Sequence, residues 1–486
     1  MQELGVEVNS AGLMVWRHDC SDHPRNWSSS RKVYDILVVG LLEFYGTVIS
    51  TTGPSAAAAS RDEYNLTALT SLVAFGLVYQ LGQAIGGLVI PPLSESFGRR
   101  TPYIASAVVY TIFCLLIGLV PSVAMVYIGR FLTGLASAVP SVVLAGSVED
   151  MFNSRQRKWL VLVWVSLATA GLICGPIYGV YISAHLGWRW IYHSSSIGMA
   201  LLTLLLLFIR ESRPSLILTT KIHLLSKEFS TPFPYDNHDS VPSRTALLNT
   251  ILVRPARLLT TEPLVILITT LSATSWALIY LFTEALTGIY HLSLNFPPTT
   301  ASLPFLAMGA GILLSIPPRF LDLRVAKRRK RTNLPLEPED KLTGFTLAVV
   351  ALAIGLWWLA WTIPPRVTGV HWAVPTAGLV LVGFAVNEIA YTLSGYLADS
   401  YTVYAASAFA GLAFVRAIVS GLMPLVAHAL YGRLGANVAT SVVAGLATSF
   451  GVAPWVLYRY SRGMRGRSSF AKYSLEVHER TKVEDD

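Results

Sequence analysis

Twelve long apolar segments determine what this chain can fold into. Each holds about 20 or more mostly hydrophobic residues, the length that a helix needs to cross roughly 30 Å of hydrocarbon. Lipid offers no hydrogen-bond partner to a free backbone amide, so these segments are predicted to be helices of an all-α membrane protein. Their approximate limits are 33–55, 67–90, 103–122, 124–147, 159–183, 189–209, 264–288, 299–318, 343–363, 371–396, 401–427 and 435–458. Consistent with this, 53% of the residues are hydrophobic and only 13% are charged.

The basic residues lie on one side of these segments. Of the 37 Lys and Arg, 31 fall in the two tails and in four connections, one of which contains the run Lys327–Arg331. Cytoplasmic loops retain basic residues, whereas translocated loops lack them. We therefore expect both termini in the cytosol, with the chain in the plasma membrane or the vacuolar membrane. The net charge of +9 fits loops at an anionic leaflet and gives no reason to expect a nucleic-acid partner.

The connection between the sixth and seventh segments divides the chain into two halves. It covers residues 211–263, mixes Pro, Ser and charge, and is too polar to cross a membrane. The predicted order is a tail at 1–32, a six-helix half at 33–210, this cytosolic connection, a six-helix half at 264–460 and a tail at 461–486. Pseudo-symmetric halves around a site near the membrane midplane are a recurrent plan of secondary transporters.

The connection between the second and third segments carries a motif that suits a conformational latch. It reads Pro91-Pro-Leu-Ser-Glu95-Ser-Phe-Gly98-Arg99-Arg100-Thr-Pro102. Gly98 suits a tight turn, and the Glu95 carboxylate is expected to pair with a guanidinium across a helix end. Such a pair would form when the halves close and break when they open. A plain basic turn is the alternative interpretation.

Two further motifs lie inside predicted helices. The fourth segment contains Arg130-Phe-Leu-Thr-Gly134, and an Arg inside an apolar helix is costly unless it faces a polar cavity, a partner or the interface. The fifth segment contains Gly171-Leu-Ile-Cys-Gly175-Pro176-Ile-Tyr-Gly179. Glycines four residues apart let another helix approach closely, and Pro176 bends the helix. We expect a hinge between the halves at this point.

In this order and on these segments, the three motifs resemble the signatures of the major facilitator superfamily. Over about residues 24–460 the chain is similar to the fungal twelve-span drug:proton antiporters of that superfamily. The resemblance also rests on Pro24-Arg-Asn-Trp27, Glu149-Asp150-Met151, Gly187-Trp-Arg-Trp190, Thr261-Glu-Pro263, Tyr280-Leu-Phe-Thr-Glu284, Val370-His-Trp372 and Tyr404-Ala-Ala-Ser407. It implies a fold in which helices one, four, seven and ten line a central cavity.

The charged residues that lie well inside the predicted helices, away from their ends, are Glu43, Arg130, Glu284, Glu388 and Arg416. Four of them lie on the helices that the resemblance assigns to the cavity. At about 1.5 Å per residue, Glu43 and Arg130 lie at similar depths, so we expect Glu43 to take up the proton and Arg130 to tune its proton affinity. A structural ion pair is the alternative for Glu43. Glu284 and Glu388 are expected to contact substrate, and Arg416 to act in packing or as a latch.

Aromatic residues indicate the cargo. Trp276 and Tyr280 share one face of the seventh segment, one turn before Glu284. An aromatic wall beside carboxylates suits amphipathic or cationic organic compounds. Interfacial aromatic belts are the alternative explanation for most aromatic residues of these segments.

Export of small organic molecules in exchange for protons is the predicted function, because the motif of the fifth segment resembles the antiporter motif of the superfamily, which implies export. An importer or symporter of a nutrient such as a polyamine or an organic acid remains open. The zinc, nucleophile-elbow and phosphate-loop motifs of enzymes are not found in the sequence, and the tails are short for a membrane sensor. We expect no cofactor and no metal, and a monomer that meets only its substrate, protons and lipids.

Overall fold

The computed structural model describes residues 5–473, apart from 9–12, 18, 231–234, 236–248, 333–336, 368 and 402–403. The predicted central connection is therefore described only in part, and the final residues of the predicted C-terminal tail lie outside the description. The described residues are almost entirely helical, and the prediction of an all-α membrane protein is confirmed.

The first half of the chain folds into one short helix and six long ones. Apolar composition, with few polar residues in the helix interiors, favours backbone hydrogen bonding within each segment. The helices are α1 (Ser29–Ser50), α2 (Gly53–Tyr64), α3 (Ala68–Phe97), α4 (Arg100–Leu119), α5 (Val123–Met151), α6 (Ser154–Leu186) and α7 (Arg189–Leu206). Helix α2 is the short one, and it joins α1 to α3.

Within its described residues, the central connection forms α8 (Pro214–Glu228) and α9 (Arg254–Thr261) before the second half begins. Strands β1 (Val6–Val8) and β2 (Met14–Trp16) form an antiparallel hairpin that packs on α8. Trp16 donates from Nε1 to the carbonyl of Pro214 at 3.2 Å. The N-terminal tail and the central connection thus form a small structured unit, which the sequence did not indicate.

The second half begins with α10 (Pro263–Ser293) and α11 (Thr300–Arg329). It continues with α12 (Pro338–Thr362), α13 (Ala373–Ser400), α14 (Ala405–Ser449) and α15 (Val452–Arg467). Within the described residues, ten helices are long and apolar enough to cross a membrane. Helix α7 is shorter and more polar, but it packs along α4 in the same bundle.

Helix α14 contains parts of two membrane-crossing segments, because its backbone turns at Gly435, where φ is 73°. Beyond that point the chain runs back along α12. Asn437 donates to the carbonyl of Ile363 at 2.7 Å, at one end of α12. Ser461 of α15 donates to Glu339 at 2.6 Å, at the other end. With α7, the structure therefore supports the predicted count of twelve crossings.

Each half has its own apolar core, and the halves meet along two contact zones. In the first zone α3 lies against α14, where a Cβ atom built on Gly87 would lie 3.3 Å from Ala413. In the second zone α6 lies against α11 and α13, and Leu172 and Ile173 of α6 pack into the core of the second half. A cavity remains between these two contact zones.

Candidate functional site

The cavity lies at the centre of the bundle, where about 280 Å³ is not filled by atoms, a volume that includes space open to solvent. Both halves contribute to its wall. The lining side chains are Glu43 and Thr47 from α1, Gln80 and Gln83 from α3, Ser141 from α5, Leu172 from α6, Trp276 and Tyr280 from α10, and Arg416, Ala417 and Ser420 from α14. The wall is thus mostly polar and carries one acidic and one basic side chain.

Glu43 is the acidic group of this wall, and only 4% of it is exposed. Ser141 Oγ lies 3.0 and 2.9 Å from its two carboxylate oxygens, so the hydroxyl donates to the carboxylate. Ser141 directly follows Pro140, which removes one backbone hydrogen bond from α5 at this depth. A buried carboxylate with one hydrogen-bond donor can accept and release a proton.

Arg416 is the basic group, and it comes from the other half. Its guanidinium carbon lies 4.8 Å from the centre of the Trp276 ring, which holds the cation over an aromatic face. Among the described residues it forms no direct ion pair with Glu43, although both line the same cavity. The structure places Arg416 in the cavity wall, and the expected role in packing or as a latch stays a prediction.

Arg130 does not meet Glu43, contrary to the expectation from their similar depths. Arg130 is fully buried, donates from Nε to the carbonyl of Phe75 at 2.7 Å and lies 4.3 Å over the Tyr79 ring. Its two terminal nitrogens have no hydrogen-bond partner within the part of the chain that the structure describes. The reason is rotation about the helix axis: side chains at equal depth point in different directions. Its contribution to proton coupling stays a prediction.

The predicted aromatic wall is present in the geometry. Trp276 and Tyr280 are 8% and 5% exposed, and both face the cavity. The Tyr280 hydroxyl lies 2.5 Å from Ser50 Oγ of the other half, and Gln80 donates to the same Ser50 at 3.2 Å. These bonds close one side of the cavity. Their role in substrate binding stays a prediction.

Glu284 and Glu388 do not line the cavity, so their predicted placement is corrected. Glu284 lies in the last third of α10, where its carboxylate is 3.4 Å from His428 Nδ1. Glu388 is fully buried in an ion pair with Arg319 and accepts from Thr392 at 3.2 Å. Arg319 was assigned to a loop from the sequence, but α11 continues past it to Arg329 and places it at the depth of Glu388.

The latch motif forms a charge cluster at the end of the bundle that carries Arg99, Arg157 and Lys341, here called the basic end. Gly98 adopts a φ of 89°, which suits glycine. Arg99 pairs with Asp150 at 3.2 Å. The prediction that Glu95 supplies the carboxylate is not supported: within the described residues it has no ion pair. Helix α5 extends to Met151 and brings Asp150 to this position instead.

A second carboxylate, Glu211, completes this cluster. It accepts from the backbone N–H of Arg99 at 2.8 Å and of Arg100 at 3.0 Å, at the start of α4. The second half repeats the ion pair, because Lys341 near the start of α12 pairs with Asp399 near the end of α13. Sequence reasoning missed Glu211, although it directly follows the sixth apolar segment.

The glycine motif of α6 packs within the first half rather than between the halves. Methyl groups at Gly171 and Gly175 would overlap Thr47 of α1 and Thr51, the residue that directly follows α1. Thr51 also donates to the carbonyl of Leu172 at 3.0 Å. Gly179 faces Ser55 in the same way, and Pro176 lies between these contacts. The predicted close approach is present, but the partner is a helix of the same half, so the hinge role stays a prediction.

Contacts between the halves also close the cavity towards the basic end. Asn387 of α13 donates to Ser166 of α6 at 3.2 Å. The Tyr391 hydroxyl donates to the carbonyl of Lys158 at 3.5 Å. Since Ser50 and Tyr280 join the halves on the other side, the cavity is enclosed from both ends of the bundle. Within the described residues, no His, Cys, Asp and Glu side chains group in a way that would hold a metal ion.

Comparisons with known proteins show which family and which proteins the chain is similar to. The family model described as Major Facilitator Superfamily matches residues 38–424. The multidrug transporter FLU1 of Candida albicans is 30% identical over 465 residues, which cover 93% of this chain and 75% of that protein. The efflux pump radE of Floropilus chiversii is 30% identical, covering 92% of this chain and 84% of the pump.

A third relative, the MFS-type transporter penM of Penicillium rubens, is 28% identical, with 96% of this chain and 91% of that protein covered. Among solved structures, the proton:xylose symporter XylE bound to 6-bromo-6-deoxy-D-glucose superposes with a TM-score of 0.60 at 16% identity. The match covers 89% of this chain and 96% of XylE. At that identity the likeness concerns the fold alone.

Proposed function

The chain belongs to the major facilitator superfamily, and from this premise we propose that it exports small organic molecules by alternating access, driven by protons. Three relatives are named as a multidrug transporter, an efflux pump and an MFS-type transporter, which supports export of an organic cargo. The observation that carries the proposal is the buried carboxylate of Glu43 in a cavity enclosed between two halves. A group that can be reached from each side in turn can couple proton movement to substrate movement.

Glu43 is the proposed proton-binding group. Ionisable residues within a membrane are costly and mark ion pathways. Arg130 enters the proposal indirectly: it stacks on Tyr79, whose hydroxyl donates to the carbonyl of Gly46 at 3.3 Å, one turn along α1 from Glu43. Through this bond Arg130 would fix the position of α1 beside the cavity.

The cargo is proposed to lie against Trp276 and Tyr280. Gln80 Oε1 and Ser420 Oγ face the same cavity and have no partner among the described residues, so they are available to polar groups of a ligand. A flat or amphipathic organic molecule with a few polar substituents fits this wall. The space inside the cavity is about that of one water molecule, far less than the volume of a drug-sized pocket, so loading requires that one end opens.

The orientation follows from the charges. We place the basic end and both termini in the cytosol, since basic loops stay on that side. A plasma-membrane or vacuolar location is part of the proposal, as is a monomer in which each chain has its own cavity. In this arrangement the Arg99–Asp150 and Lys341–Asp399 pairs lie at the cytosolic surface and act as latches of the two halves.

Accumulation of rhodamine 6G, a fluorescent amphipathic cation, in yeast that lacks its own drug pumps tests the proposal. Expression of the chain should lower accumulation, and a protonophore should abolish the effect. Glu43→Gln should abolish proton-driven export, because the glutamine side chain cannot take up and release a proton in the physiological pH range. Glu228→Gln on α8, which removes one carboxylate outside the bundle, is the matched control. Proton-driven uptake instead of export would support the importer, and undiminished export by Glu43→Gln would remove Glu43 from the mechanism.

A further inference from the structure

We propose that Arg416 is the positioning residue of proton coupling: it is a cation that belongs to one half and faces the proton-binding carboxylate of Glu43 in the other half. This inference rests on the proposed function, because it takes Glu43 as the proton-binding group. It replaces the expected Glu43–Arg130 pair with one that crosses the interface between the halves.

The two charged side chains belong to different halves of the protein. Glu43 on α1 and its hydrogen-bond donor Ser141 on α5 belong to the first half. Arg416 on α14 and the Trp276 ring beneath it on α10 belong to the second half. Each charge is therefore held by a neighbour of its own half. When one half moves against the other, the distance between the two charges must change.

Arg130 lacks this property. It is tied to the carbonyl of Phe75 and to the Tyr79 ring, and both belong to the first half, as does Glu43. Rocking of the halves as rigid bodies leaves the separation of Arg130 and Glu43 unchanged. A residue at fixed distance can set a constant proton affinity, but it cannot make that affinity depend on conformation.

Within the described wall of the cavity, Arg416 is the one charged partner available to Glu43. The helices around it present uncharged groups: Gln80 and Gln83 from α3, Leu172 from α6 and the Tyr280 hydroxyl from α10. A nearby cation stabilises an ionised carboxylate, and a carboxylate that loses this cation takes up a proton more readily. Conformation and protonation are then linked in both directions.

The test follows the conformation of the purified full chain in lipid nanodiscs as a function of pH. Spin labels on Leu186 of the first half and Leu292 of the second, 59% and 77% exposed, report the distance between the halves. The wild-type distance should change with pH around one midpoint. Glu43→Gln should abolish the change. Arg416→Gln should move the midpoint to higher pH by about one unit, the size expected for loss of one nearby charge.

Three variants serve as controls, two for the loss of charge and one for the loss of stability. Arg416→Lys keeps a cation and should restore the wild-type midpoint, whereas Arg433→Gln removes an exposed cation outside the cavity and should leave it unchanged. If Arg416→Gln unfolds at lower temperature, the double variant Glu43→Gln/Arg416→Gln should regain that stability, because neither charge is then left unpaired.

The outcomes separate the two proposals. An unchanged midpoint in a folded Arg416→Gln, with the response still lost in Glu43→Gln, overturns the role of Arg416 and leaves Glu43 in place. A pH response that persists in Glu43→Gln overturns both the proton site and this inference, while the export assay still decides whether the chain is a pump. A wild-type distance that does not depend on pH likewise overturns the inference.

Discussion

Gly134 of α5 packs directly against the backbone carbonyl of Tyr79 of α3, so that the two helices cross without a side chain between them. Gly82 of α3 meets the carbonyl of Phe131 at the same crossing. The second half repeats this arrangement: Gly383 of α13 meets the carbonyl of Met308, and Gly311 of α11 meets that of Val380. In each half the contacted carbonyl lies three residues before the facing glycine. The repeat is evidence, independent of the count of helices, for two pseudo-symmetric halves.

Gly134→Ala should destabilise the chain, because its Cβ would overlap the Tyr79 carbonyl, which cannot move away without shifting α3. Overpacking of this kind costs about 1–3 kcal/mol, so thermal unfolding in detergent should begin several degrees lower. Gly445→Ala is the control: a Cβ there meets nothing within 4 Å, and alanine favours a helix over glycine by about 1 kcal/mol. Equal melting temperatures for the two variants would contradict the close crossing.

Glu211 stabilises the start of α4, because its carboxylate accepts from the backbone N–H groups of Arg99 and Arg100. These groups have no partner within the helix. Glu211→Ala should cost about 1 kcal/mol, the usual value of a lost helix N-cap. Glu211→Gln keeps an acceptor and should recover part of the loss. Thermal unfolding measures both, and identical stability of wild type and Glu211→Ala would contradict this role.

The fold could be predicted because each apolar segment and each basic connection can be recognised separately along the chain. Apolar segments of sufficient length and the sorting of Lys and Arg predict the number of crossings and the two halves. Trp276 and Tyr280 share one helix face because they lie four residues apart, and both line the cavity. No contact with a distant residue is needed for either inference.

The partners of the charged residues could not be predicted in the same way. A sequence gives the depth of a residue along its helix, but not the direction in which its side chain points once twelve helices pack. Arg130 therefore turned towards Phe75 instead of Glu43. The ends of helices could not be predicted accurately either. The sequence places Arg319 and Asp150 in loops, but α11 continues past Arg319 and α5 continues past Asp150, so both residues form ion pairs from helices.

Glu63 lies on the side of the bundle opposite the basic end, and its hydrogen bonds predict a small pH dependence of the stability of the protein. It accepts from Arg189 at 2.7 Å and from Trp188 at 3.0 Å, and the hydrogen bond from Arg189 holds the pKa of Glu63 below its usual value. A lowered pKa adds stability above the pKa of the unfolded chain, about 4.3, and this stability is lost as pH falls through the folded value.

The melting temperature of the wild type should therefore fall more between about pH 5 and 3 than that of Glu63→Gln. The difference should correspond to less than about 1 kcal/mol, because the pair is partly exposed to solvent. Glu228→Gln, on a helix outside the bundle, controls for general removal of a carboxylate. Parallel melting curves for the wild type and Glu63→Gln across this range would contradict the assignment.

The hydrogen bond between Tyr280 and Ser50 holds the two halves together at the end of the bundle opposite the basic end. Its loss should therefore let the cavity open towards that end. Tyr280→Phe removes the hydroxyl that joins α10 to α1 across the halves. Loss of one hydrogen bond of about 1 kcal/mol corresponds to roughly a fivefold change in an equilibrium. A cysteine placed at Ser420 in the cavity wall, in a variant without the native cysteines, should then react about five times faster with a membrane-impermeant maleimide applied from that side.

Tyr290→Phe is the matched control, because the Tyr290 hydroxyl forms a hydrogen bond of 2.6 Å with Thr376 within the second half alone. Equal acceleration by both variants would mean that loosening of the second half, and not separation of the halves, exposes the cavity.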